Sequence, residues 1–164
     1  MPTEIERKFL VTSDAWRAHV RSSHRVSQGY ILSGAGRTVR VRVNDGRGFL
    51  TVKGPSDAAG LSRDEWEYEI PREHAQQMIE RLCSGGVIDK TRHLVPASGG
   101  LTWEIDEFHG DNAGLIVAEI ELPSADAAFD KPAWLGREVS AEVRYRNSSL
   151  IERPYSAWGR CERG

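Results

Sequence analysis

A strand pattern with one charged face recurs along this chain, and it limits the possible folds more than any other feature. "EIERKFLV" puts Glu4, Glu6 and Lys8 on one side and Ile5, Arg7, Phe9 and Val11 on the other, at the two-residue period of a strand. "RTVRVRVN" sets Thr38, Arg40 and Arg42 against Val39, Val41 and Val43. After a hairpin signal at Asp45-Gly46, "GRGFLTVK" places Thr51 and Lys53 opposite Leu50 and Val52. "DEWEYEIP" sets Glu65, Glu67 and Glu69 against Trp66, Tyr68 and Ile70. "VIDKTRHLV" separates Lys90 and Arg92 from Thr91 and His93, a less clean division. "LTWEIDEF" and "LIVAEIEL" oppose Glu104 and Asp106, then Glu119 and Glu121, to apolar neighbours. "REVSAEVRY" sets Glu138, Ser140, Glu142 and Arg144 against Val139, Ala141, Val143 and Tyr145.

Eight such segments fit an antiparallel sheet with one solvated face, or a barrel closed with its polar face inward. Two features favour closure. Both signs of charge recur in phase on the same strands, and amphipathic segments are present to cover an apolar exterior. "SDAWRAHV" predicts a helix with Ser13 as N-cap. "PREHAQQMIERLCSGG" predicts a second, with Pro71 near its start, Gly85-Gly86 past its end, and Ala75, Met78, Ile79 and Leu82 along one side. Asp126 to Leu135 reads as a short helix interrupted by Pro132, and Gly54 to Arg63 as a loop. The fold class expected is an all-β core with peripheral helices (α+β), in one domain spanning residues 1–164.

No run of about eighteen apolar residues is present, which excludes a transmembrane helix. Charged first residues without an apolar signal segment, and only Cys83 and Cys161, predict a cytoplasmic protein. With 22 basic and 24 acidic residues the net charge is −2, which argues against a duplex nucleic-acid binder but leaves room for one strongly basic cavity.

The basic groups on the polar phase are Lys8, Arg40, Arg42, Lys53, Lys90, Arg92 and Arg144. Enclosed together they need compensation, and a phosphate chain satisfies many at once through forked guanidinium donors and compact ammonium charges. Glu4/Glu6 and Glu119/Glu121 are carboxylate pairs at i and i+2 on shared faces, able to hold one or two Mg²⁺ or Mn²⁺ ions through oxygen. Glu67 and Glu69 form a third pair suited to orienting basic side chains or a water. No zinc spacing, GxxxxGK[ST] loop or nucleophile elbow occurs. Tyr30 either packs the sheet or meets a charge near one mouth. Trp66, Trp103 and His93 read as structural, and His19, His24, His74 and His109 have no convincing partners.

In order along the chain, "EIERKFLV", "QGYIL", "VRVR", "LTVKG", "EWEYEIP", "WEIDEFHG", "LIVAEIEL" and "GREVSAEVRYRNSSL" resemble the CYTH or triphosphate tunnel metalloenzyme family, from about residue 3 to residue 155. The resemblance implies an eight-stranded antiparallel β-barrel forming a hydrophilic tunnel. It implies Glu4, Glu6, Glu119 and Glu121 as metal ligands, and the seven basic groups as the phosphate path. Glu67, Glu69, Asp106 and Glu142 become the acidic supporting set, with Glu142 where the family often has Asp. Lys90 matches a lysine tied to proton transfer, and Lys8, Glu67 and Glu69 join it as catalytic candidates. The implied activity is metal-dependent hydrolysis of a small-molecule triphosphate by a monomer or homodimer, inorganic triphosphate first. Thiamine triphosphate, nucleoside triphosphates and adenylate cyclisation are the enzymatic alternatives. A polyphosphate- or nucleotide-binding module is the non-enzymatic one, disfavoured because simple anion binding does not require the acidic pairs.

Overall fold

The computed structural model describes residues 3–83 and 85–163. Ser84, at the expected end of the second helix, and Met1, Pro2 and Gly164, within the expected domain span, lie outside the described residues. Nine strands are present among those described: β1 (Thr3–Val11), β2 (Ser22–Gly34), β3 (Arg37–Asn44), β4 (Arg47–Lys53), β5 (Ser62–Ile70), β6 (Ile88–Pro96), β7 (Thr102–Phe108), β8 (Ile116–Glu121) and β9 (Leu135–Glu138). Two α-helices join them, α1 (Arg72–Leu82) and α2 (Asn147–Glu152).

The strands pair antiparallel in the order β5-β4-β3-β2-β6-β7-β8-β1. Thr3, Glu4 and Ile5 then pair back to Asp64, Arg63 and Ser62, which closes an eight-stranded barrel. On the same edge of β1, β9 takes over at Phe9 and Val11. Between these partners the edge is met by single groups: Glu6 N–H donates to the Leu61 carbonyl at 3.0 Å and Lys8 N–H to Ser140 Oγ at 3.0 Å. The closing seam therefore has a gap in its strand ladder beside Glu6 and Lys8.

Alternation sorts the core into two clusters. Outside the barrel, Phe9, Val95, Trp103, Ile105, Ala118 and Ile120 pack under Trp16 and Trp134. The second cluster includes Ile88, Phe108 and Val117, which share the inward phase of Lys90, Asp106 and Glu119. Tyr145, Leu150 and Trp158 from the C-terminal segment complete it, so an apolar floor fills one end of the lumen. Helix α1 lies over β2, β3 and β4. At Gly48 a Cβ would stand 2.9 Å from both the Ala75 Cβ and the Ile70 carbonyl, so glycine there permits the close helix–strand approach.

The expected count of eight barrel strands holds, but the membership differs. β2, not expected as a strand, is the longest at 13 residues. Its phase is hard to read because a register shift between Tyr30 and Leu32 exchanges the two faces. The segment "REVSAEVRY" is strand only through Glu138; the chain then turns inward so that Val139 and Tyr145 enter the floor. Asp126 to Leu135 is not a helix, for Ala127 and Phe129, two residues apart, both pack against the outer core, which is extended spacing. "SDAWRAHV" forms only a short 3-10 turn, Ala15–His19, with Ser13 Oγ accepting from Ala15 N–H at 3.3 Å. The hairpin at Asp45-Gly46 is present, both residues at positive φ (49° and 79°), as a two-residue primed turn requires.

Candidate functional site

The polar part of the lumen is a cavity of ≈ 280 Å³. β1 supplies Glu4, Glu6 and Lys8; β3 supplies Arg40 and Arg42; β4 supplies Lys53; β5 supplies Arg63, Glu65 and Glu67. Lys90, Arg92, Glu104, Glu119 and Glu121 come from β6, β7 and β8, and Tyr30 from β2. The closed wall makes the strand alternation deliver these groups to one enclosed space.

Their pairing is uneven. Lys53 Nζ donates to Glu4 at 2.8 Å and lies 3.1 Å from Glu65. Lys90 and Asp106 are both fully buried, 2.6 Å apart, and Lys90 also donates to Asn147 Oδ1 at 3.0 Å. Arg92 grips Asp106 through two nitrogens at 2.8 and 2.9 Å and reaches Glu104 at 2.7 Å. Lys8 and Arg92 approach Glu119 at 3.5 and 3.7 Å. Arg40 and Arg42 are less compensated. Arg42 Nε donates to the neutral Gln28 Oε1 at 2.8 Å. Arg40 has Thr51 Oγ1 at 3.1 Å and Glu67 at 3.6 Å, and its Nε is buried with no hydrogen-bond partner.

Proton affinities follow this layout. Burial, with Arg40 and Arg92 nearby, lowers Arg42 to about 9. Burial lowers Lys90 to about 7 although Asp106 opposes it, with Arg92 and Arg42 adding to the fall. For Glu4, burial acts upward but Lys53 overrides it and the carboxyl falls to about 2. Glu6 rises well above the ordinary range through burial and the charges of Glu119 and Glu4. Glu121 rises for the same kind of reason, burial first, then Glu4 and Glu104. Asp106 is held low, because Arg92 and Lys90 together outweigh its burial.

Glu6 and Glu121 are direct partners across β1 and β8, and Lys8 faces Glu119 one step along. Burial and neighbouring carboxylates raise Glu6 and Glu121 against the pull of Lys53, and four carboxylates are the donor type that hard divalent ions take. As the side chains stand, Lys53 occupies Glu4 and Lys8 attends Glu119. Among the described residues no three acidic, histidine or cysteine side chains converge on one ion position. The donor chemistry fits a divalent ion; its coordination requires these ammonium partners to turn aside.

Three residues expected at the site are not brought there. Glu69 lies at the rim, half-exposed and paired with Arg47 at 2.5 Å. Glu142 pairs with Arg137 and Arg144. Arg144 stacks on Tyr145 and Trp158, each about 5.0 Å from its guanidinium carbon, because the chain has already left the strand. Asp106 sits behind the lining and fixes Lys90 and Arg92. Of the residues not foreseen, Arg63 was readable: it is in phase with Glu65 and Glu67 once β5 is extended back into the expected loop. Arg146 and Asn147 carried no periodic signal, since Arg146 enters from the turn before α2 and Asn147 is the first residue of that helix. Tyr30 faces the lumen, and its hydroxyl accepts from Gln28 Nε2 at 3.2 Å.

A closed antiparallel barrel enclosing buried, partly unsatisfied arginines beside crowded carboxylates defines a class: proteins that enclose a polyanion, with a cation as co-ligand. The chain belongs to the CYTH domain family, whose profile matches residues 2–155. It is 48% identical over 155 residues to an inorganic triphosphatase of Acetivibrio thermocellus, covering 94% of this chain and 97% of that protein. An inorganic triphosphatase of Nitrosomonas europaea is 35% identical, covering 90% and 96%. A crystal structure of an inorganic triphosphatase superposes with a TM-score of 0.63 at 31% identity, covering 93% and 96% of the two chains.

Proposed function

We propose that this chain is a divalent-metal-dependent hydrolase that cleaves inorganic triphosphate to pyrophosphate and phosphate. The carrying observation is the buried Arg40/Arg42 pair, held by the neutral Thr51 and Gln28 with Glu67 no nearer than 3.6 Å to Arg40, in a polar cavity where Tyr30 is the one aromatic among the described lining residues. Such a cavity rewards an anion with many oxygens and offers little apolar surface to a nucleobase or thiazole ring. The likeness to the Acetivibrio and Nitrosomonas proteins, both named inorganic triphosphatase, supports the same substrate.

In this reading Lys8, Arg40, Arg42, Lys53, Lys90 and Arg92 bind the phosphate oxygens. Water attacks a terminal phosphorus, the bridging P–O bond breaks, and its electron pair leaves on the pyrophosphate oxygen, where guanidinium and ammonium groups stabilise the charge. Lys90, near neutrality and fixed by Asp106 and Asn147, can hold or release a proton at Nζ. Glu67 accepts a hydrogen bond from Thr51 at 2.9 Å and so steadies the Thr51 hydroxyl on which Arg40 rests. Glu4, Glu6, Glu119 and Glu121 would hold one or two Mg²⁺ or Mn²⁺ ions, which when bound supply charge neutralisation and Lewis acidity. Glu69, Glu142 and Arg144 have supporting places outside the lumen. Among the described residues no helix is long and apolar enough to cross a membrane, and the two cysteines are free, which supports a reducing compartment such as the cytoplasm.

The test is phosphate release from tripolyphosphate, pyrophosphate, ATP and thiamine triphosphate, each with Mg²⁺ and with Mn²⁺. Tripolyphosphate is expected to give the highest kcat/KM. Preference for ATP would replace this reading, and formation of cyclic AMP with pyrophosphate would make the protein a cyclase.

A further inference from the structure

The gap in the closing seam opens a small side window of ≈ 30 Å³, lined by Glu4, Glu6, Lys8, Ser56, Arg63 and Arg146 among others. One side is the loop between β4 and β5. It is held against the C-terminal segment at Gly60 (φ +74°), where a Cβ would stand 2.7 Å from the Ser140 carbonyl. Arg63 and Arg146 line both this window and the main lumen.

These two arginines are weakly held. Arg146 Nη2 donates to Ser56 Oγ at 3.3 Å, and no carboxylate lies within ion-pair distance of it among the described residues. Arg63 meets Glu4 only through Nε at 3.7 Å, and that carboxylate already takes Lys53 at 2.8 Å. The two guanidinium groups line one half-buried window in which Arg146 has no ion-pair partner among the described residues and Arg63 shares Glu4 with Lys53, an arrangement that a bound anion would relieve. Burial and the charge of Arg63 both lower the proton affinity of Arg146, which reports the same closeness. A serine hydroxyl supplies a third donor.

We propose that Arg63, Arg146 and Ser56 form a second phosphate grip at the side window, separate from Arg40/Arg42, which selects chain length. The proposal rests on the triphosphate reading. Arg40 and Arg42 hold one phosphoryl group from β3, and the window holds another from the seam. A triphosphate engages both grips, whereas pyrophosphate engages one. Arg146 thus takes the place in the phosphate path that the sequence pattern assigned to Arg144, two residues earlier.

The experiment measures tripolyphosphate turnover, and competition by pyrophosphate, in the wild type and in Arg146→Gln, Arg146→Lys, Arg63→Gln and Ser56→Ala, with thermal unfolding recorded for each. Arg146→Gln is expected to raise KM for tripolyphosphate about tenfold or more with little change in kcat, and to leave pyrophosphate inhibition nearly unchanged. Arg146→Lys should recover part of the loss, because it restores charge without the fork. Ser56→Ala, on the loop and tolerant of folding, should shift KM in the same direction by about threefold. A folded Arg146→Gln with unchanged KM, or with tripolyphosphate and pyrophosphate weakened alike, overturns the second grip. Should Arg146→Gln fail to fold, an unchanged KM in Ser56→Ala overturns it. Wild-type protein that does not hydrolyse tripolyphosphate defeats the triphosphate reading instead. Calorimetric binding of tripolyphosphate against pyrophosphate then decides the grip alone: loss of their difference in Arg146→Gln supports it, and its persistence refutes it.

Discussion

Lys90 lies between Asp106, Asn147 and the Phe108 ring, whose centroid is 5.6 Å from Nζ. Burial brings it to about 7 against the pull of Asp106. An unfolded lysine titrates near about 10.4, so between the two values the unfolded chain binds the extra proton and stability rises with pH. Because kcat/KM reports the free enzyme, its pH profile for tripolyphosphate is expected to bend near pH 7. Lys90→Arg keeps a positive charge that does not titrate, and should remove the bend while lowering the rate. The same bend in a folded Lys90→Arg would assign it to another group. Lys90 and Arg92 were legible from sequence because a wall strand places alternate residues inward, even where the apolar face was poorly marked. Arg144 was misread because its alternation persists after the backbone has left the strand. Arg146 was invisible because no period governs a turn.

Among the elements, β1, β3, β4, β5, β7 and β8 announced themselves through in-phase charge, with a hairpin signal at Asp45-Gly46 between β3 and β4, though the first two residues of β5 fell in the expected loop. β2 did not, since a bulge reverses its faces midway and Gly29 interrupts its side-chain pattern. The C-terminal segment was hidden for another reason: its work is to fill the barrel from within, which depends on contacts distant in sequence. Leu150 of α2 is fully buried with Ile88, Phe108 and Tyr145. Leu150→Ala leaves a cavity at the floor and is expected to cost about 2–5 kcal/mol, read by urea denaturation. The loss should also weaken tripolyphosphate binding, because α2 begins at Asn147, which accepts from Lys90, and follows Arg146 at the window. A loss below about 1 kcal/mol would show that the floor collapses around the smaller side chain or carries little of the stability.

For the molecule as a whole, a net charge of −2 conceals a strongly divided interior. Closure was legible because both signs recur in phase. Where each sign gathers was not, because the sequence gives neither barrel order nor which ion pairs form. The structure leaves Arg40 and Arg42 weakly compensated, Arg40 by Glu67 at 3.6 Å and Arg42 by the neutral Gln28, and crowds the carboxyl groups of Glu6 and Glu121. A phosphate chain and a divalent ion should therefore each stabilise the fold through a different part of the lumen. At about one hundred times its dissociation constant a ligand adds about 2.7 kcal/mol, or roughly 5–10 °C in Tm for a chain of this size. Tripolyphosphate without metal, and Mn²⁺ without phosphate, are each expected to raise Tm in the wild type. In the Glu119→Gln, Glu121→Gln double variant the Mn²⁺ shift should disappear while the tripolyphosphate shift persists. Removing Glu119 leaves Lys8 and Arg92 less compensated, so the variant's own Tm without ligand sets its baseline. An undiminished Mn²⁺ shift in that variant would place the ion elsewhere. Loss of both shifts together would mean that the carboxylates hold the arginine wall in position rather than a cation.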